Sequence, residues 1–109
     1  MARTYKVLGQ SNPAATTDTT LYTVPSATET VVSTISICNL AATAATYRIA
    51  VRPDGATLAN SHYIAYDASL PANDTAMITV GLTMNASDVV TVRASSASVT
   101  FGLFGSEIS

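Results

Sequence analysis

Thr30 to Gly55, TVVSTISICNLAATAATYRIAVRPDG, decides the fold, because it holds two runs of period-two alternation joined by a small polar connector. In the first run Val31, Ser33, Ile35 and Ile37 fall on one face. In the second, Ala45, Tyr47, Ile49 and Val51 do the same. Alternation of this kind places one side of a strand against a core and the other towards solvent or a partner. The connector Asn39–Ala44 is too long for a two-residue hairpin, so the two strands either pair directly or cross between sheets. The second strand stops at Arg52-Pro53-Asp54-Gly55, since proline lacks a ladder donor and glycine accepts positive φ.

Working outward, Thr4–Leu8 and Leu21–Val24 read as strands before the central pair, and Gln10–Thr20 (QSNPAATTDTT) as a polar loop or arm able to lie across a neighbouring subunit. Ala56–Asn60 has room for one helical turn. His62–Tyr66, Thr75–Leu82, Asp88–Ala94 and a strand marked by Val99, Phe101 and Leu103 follow, with Gly81 expected at a bulge. About eight short strands and no helical period predict a single all-β domain over residues 1–109, an antiparallel two-sheet β-sandwich with jelly-roll or Greek-key connections. The expected core is Val7, Leu21, Val24, Val31, Ile35, Ile37, Tyr47, Ile49, Val51, Ile64, Ile78, Val80, Leu82, Val90, Val92, Phe101 and Leu103.

Only 11% of residues are charged, well below the quarter usual for soluble domains. A surface of Ala, Thr and Ser has few charges to oppose self-association, which points to a homo-oligomer, most simply a trimer or ring. The formal net charge of −2, without a basic run, argues against a nucleic-acid partner. MARTYK has no apolar h-region and no stretch reaches membrane-spanning length, so neither a secretory signal nor a membrane partner is expected. The one cysteine, Cys38, reads as a small buried hydrophobe.

Chemistry is sparse. His62 and Asp67 could form a general-base pair, but no nucleophile elbow accompanies them and no second histidine supplies a metal ligand. Catalytic, metal-binding and cofactor-binding residues are therefore all read as none. Asp54, Asp67, Asp74 and Asp88 flank turns, where Asx-type hydrogen bonds are the expected role. The residues assigned to a contact surface are Arg48, Arg52, His62, Tyr63, Tyr66 and Arg93, because arginine and tyrosine bury an apolar body while keeping a polar tip satisfied. Tyr63 and Tyr66 could also make a sugar platform. Two N-glycosylation sequons, Asn73-Asp74-Thr75 and Asn85-Ala86-Ser87, carry little meaning without a secretory signal.

LYTVP (21–25), VVSTISICN (31–39), ATYRIAVRPDGA (45–56), HYIAYD (62–67), NDT (73–75), ASDVVTV (86–92) and FGLFGSEIS (101–109) together resemble small virion structural proteins of tailed bacteriophages, cyanophages among them. The resemblance implies a non-enzymatic β-sandwich made in the host cytoplasm and assembled into a virion beside other phage structural proteins. Its place would be an accessory subunit, either capsid cement or decoration, or a tail, baseplate, neck or fibre-attachment component. A host-glycan-binding module is the alternative of a different class.

Overall fold

The computed structural model describes residues 2–109, the side chain of Val80 excepted. Eight strands fill it: β1 (Arg3–Ser11), β2 (Thr19–Thr23), β3 (Glu29–Asn39), β4 (Ala45–Arg52), β5 (Tyr63–Leu70), β6 (Thr75–Met84), β7 (Val89–Ala94) and β8 (Val99–Ile108). They form two four-stranded sheets, a front sheet in the order β1-β8-β3-β6 and a back sheet in the order β2-β7-β4-β5. Every pairing is antiparallel.

The pairs β1·β8, β2·β7, β3·β6 and β4·β5 are those of one long hairpin with its tip between β4 and β5. Rolling that hairpin brings β8 beside β3 and β7 beside β4, closing each sheet. This is the jelly-roll wrap, the first of the two connection schemes that the alternation allowed. The connector after Asn39 therefore crosses between sheets, and β4–β5 is the one link between sequence neighbours within a sheet. That link contains a 3-10 turn at Pro53–Gly55, where Asp54 and Gly55 take positive φ, and a second 3-10 turn at Asn60–His62.

Between the sheets Val32, Ile35, Ile37, Ile49, Val90, Val99 and Leu103 are sealed from solvent, with Val24, Leu70, Val92, Ala94 and Phe101 almost so. Three parts of the expected core need correction. Val31 faces outward and Val32 takes its place, because a bulge between Val32 and Thr34 reverses the alternation within β3. Val7 is 49% exposed, since a register shift between Val7 and Gly9 turns Leu8 inward instead. Ile64 is 45% exposed, because β5 is an edge strand with two register shifts that present Ala65 and Ala68 to the core. Val80 belongs to the expected core, but its side chain lies outside the described residues.

Cys38 likewise is half-buried on the outer side of β3. Gly81 does sit at a bulge, with φ +60° beside the shift that separates Thr79 from Leu82. The arm shortens to residues 12–18, because Gln10 and Ser11 extend β1 and Thr19 begins β2. It docks on its own chain: the Thr16 N–H donates to the Ala94 carbonyl at 2.7 Å, and the Asn12 amide, turned towards Ala97 and Val99, donates to both carbonyls at 2.8 and 3.1 Å.

Candidate functional site: two outer faces of opposite character

The outer face of the back sheet carries charge in a row. Arg48 on β4 and Arg93 on β7 are direct cross-strand partners, and an acid stands at each end of the pair. Arg48 donates from Nε and Nη2 to the two carboxylate oxygens of Asp67, at 2.7 and 3.2 Å. Arg93 lies 3.7 Å from Asp18 in the loop before β2. Placed side by side alone, the two guanidinium groups would repel; the Asp–Arg–Arg–Asp order neutralises them. The fork onto Asp67 holds that carboxyl below its ordinary range and raises Arg48.

Backbone geometry makes the fork possible. Asp67 has φ +50° within a bulge of β5, so Tyr66 and Asp67 both project from the sheet rather than alternating across it. The Arg48 guanidinium then covers one face of the Tyr66 ring, 4.1 Å from its centroid. Tyr63 meets the same ring edge to face at 4.8 Å. Of the contact residues named from the sequence, Arg48, Tyr63, Tyr66 and Arg93 are thus brought together. Arg52 and His62 serve their own turns. Arg52 donates to the carbonyls of Ala56 and Gly55 and to Thr91 Oγ1, while His62 Nδ1 accepts the Ala59 N–H at 3.1 Å. Asp67 is held by Arg48 and His62 by its own turn, so the two are not paired with each other.

Beside this row lies a cavity of about 180 Å³ lined by Thr46, Arg48, Asp67 and Arg93, among others. It falls below the range of about 300–1,000 Å³ typical of small-molecule sites. Among the described residues no three His, Cys, Asp or Glu side chains stand together as a metal site. Among the described residues no helix is long and apolar enough to cross a membrane.

The front sheet presents the opposite surface. Strand register places its outward residues in rows: Tyr5, Ser106, Val31 and Thr83, then Val7, Phe104, Thr34 and Thr79, then Gln10, Gly102, Ser36 and Met77. None of them is charged. Tyr5 is 76% and Met77 63% exposed, and an open depression runs between Tyr5, Val31, Ser33 and Phe104. Arg3 and Glu29 flank Ile108 at one end of the sheet.

Two polar networks that the sequence did not reveal tie the layers at their ends. Tyr22 Oη of the back sheet bonds Thr30 Oγ1 and donates to Glu107 of the front sheet, and Glu107 also receives Lys6 Nζ at 3.1 Å. Burial first, and then the Glu107 carboxylate, push Tyr22 up to about 12; the Tyr22 hydroxyl, with Lys6 adding, keeps Glu107 low. Asn39, 1% exposed, donates to the Thr43, Leu70 and Pro71 carbonyls and accepts from the Ala41 N–H and from Ser98 Oγ, joining three loops. Compared with protein-family models, curated proteins and solved structures, the chain finds no match in any of the three.

Proposed function

We propose that this chain is a non-enzymatic virion structural protein of a tailed phage, an accessory subunit on the particle surface that acts as capsid cement or decoration. It works as a homo-oligomer beside other phage structural proteins. The observation that carries this reading is the β1-β8-β3-β6 and β2-β7-β4-β5 strand order, a jelly roll of the kind that recurs in viral capsid and lectin domains. The sparse charge and a front face whose three middle rows are uncharged support it, because a subunit built into a lattice exchanges solvent contact for protein contact over large areas. Mass spectrometry of purified particles tests it. Copies in proportion to the major capsid protein are expected; a few to a few dozen copies would move the chain to the tail, baseplate or neck, and none would overturn the reading.

Glycan binding is the second reading, favoured by the 57% exposed Tyr66 ring beside Tyr63 and Asn60, which line a shallow groove together. Against it, Arg48 already covers one face of that ring and both Asp67 oxygens already accept from Arg48. A sugar array with a Tyr66→Ala control separates the two: a hit lost in the variant supports the glycan reading, and a blank array removes it.

A further inference from the structure

We propose that the outer face of the front sheet is a two-fold interface with a second copy of this chain. The inference rests on the homo-oligomer part of the reading above and names the surface; the arrangement is a pair rather than a trimer or ring. Its first ground is the contrast between faces. The back sheet shows water Arg48, Arg52, Asp67 and Arg93, whereas the three front-sheet rows hold hydroxyls, an amide, a glycine and the large side chains Tyr5, Val7, Val31, Phe104 and Met77.

The second ground is the placement of large and small residues. Consider a two-fold axis parallel to the strands, above the gap between β8 and β3. It reverses the strand order and keeps the rows, so β1 lies over β6 of the second copy and β8 over β3. Tyr5 then faces the second copy's Thr83, Val31 its Ser106, Val7 its Thr79 and Phe104 its Thr34. In the first two rows each large side chain meets a small hydroxyl residue, the condition for interdigitating layers, and in the third Met77 meets the second copy's Gln10. A rotation of about 30° between aligned sheets displaces the corner pairs most and the central Phe104–Thr34 pair least.

The third ground is area. Four strands about 4.8 Å apart and about nine residues long, at roughly 3.4 Å per residue, give a face near 600 Å². Two such faces bury about 1,200 Å², the lower edge of what stable interfaces use. No like charges oppose each other in this contact: the three rows contain none, and in the end row Glu29 faces the second copy's Ile108.

Sedimentation equilibrium of the purified full chain tests the interface. A dimer at micromolar concentration is expected, and Thr34→Lys should weaken it roughly 100-fold while Thr20→Lys on the exposed back sheet leaves it intact. A second measurement does not depend on tolerance of the buried charge. With Cys38→Ser, the pair Val7→Cys and Thr79→Cys puts thiols on opposite edges of one sheet, three strand spacings or about 14 Å apart. A thiol crosslinker shorter than that should join two chains and not one. A chain that stays monomeric at millimolar concentration, or a dimer that ignores Thr34→Lys and gives no crosslinked pair, would overturn the proposal. The particle count is a separate outcome: a front-face dimer absent from virions leaves the interface standing and removes the virion reading, and a monomer abundant in virions does the reverse.

Discussion

Asn39 occupies the position where a polar side chain costs most if its partners are lost. Its amide spans the connections before β4, before β6 and before β8, meeting the Thr43 and Pro71 carbonyls, the Ala41 N–H and the Ser98 hydroxyl at the end of the sandwich. Asn39→Ala should lower unfolding free energy by about 2–3 kcal/mol, measured by urea denaturation, because several buried groups lose partners at once. Tyr22 makes a second residue-scale prediction, about pH. Its pKa stands raised to about 12 from the ordinary 10, so the native state favours the neutral phenol. That contribution is complete below pH 10 and disappears as pH rises towards 12. In alkaline titration followed by tyrosine absorbance, one of the five tyrosines should ionise last, and Tyr22→Phe should remove that step at a cost of about 1 kcal/mol at neutral pH. Glu107 and Asp67 work in the opposite sense. Their carboxyls are held low, so their contributions exist above the ordinary carboxylate pKa and fade as acid takes the pH down through the depressed values.

At the scale of the element, bulges separate what the sequence disclosed from what it hid. Alternation located every strand of the sandwich, since a half-buried strand must repeat every two residues, and it located Ile35, Ile37, Tyr47 and Ile49 in the core. It failed where an extra residue reverses the faces: at Val31 and Val32, at Val7 and Leu8, and through β5, where Ile64 lies outside. No local propensity marks those slips, because they are set by cross-strand fit. The Arg48–Asp67 fork was missed for the same reason, as it needs positive φ at Asp67 in the middle of a strand. The Tyr22 and Asn39 networks depend on contacts between residues distant in sequence, which periodicity does not report. Two glycines allow a direct check on the bulges. A Cβ on Gly105 would collide with the backbone carbonyl of Val31, whereas one on Gly81 would meet open space and bear the strain of φ +60° alone. Gly105→Ala should therefore cost about 3 kcal/mol and Gly81→Ala about 1 kcal/mol, read from thermal or denaturant midpoints. Equal costs would mean that β8 does not press on the β3 bulge as described.

For the whole molecule, the division of charge between faces turns salt into a probe of assembly. The chain has a formal net charge of −2 and an isoelectric point near 4.9, so general repulsion between copies is weak at neutral pH and vanishes near pH 5. An association through the back sheet would engage Arg48, Arg93, Asp67 and Asp18, and their contacts would weaken as salt shortens the Debye length to about 3 Å at molar strength. An association through the front sheet engages hydroxyls and apolar side chains, whose burial is untouched by screening and is strengthened by excluded salts such as sulfate. The dimer constant should thus hold from low to molar sodium chloride and tighten in sodium sulfate, as followed by sedimentation at fixed protein concentration. Raising sodium chloride should also leave the Thr34→Lys variant dissociated, because the obstacle there is a desolvated ammonium in a neutral face, which screening by outside ions does not relieve. Dissociation of the parent chain by molar sodium chloride would instead assign the contact to the back-sheet charges.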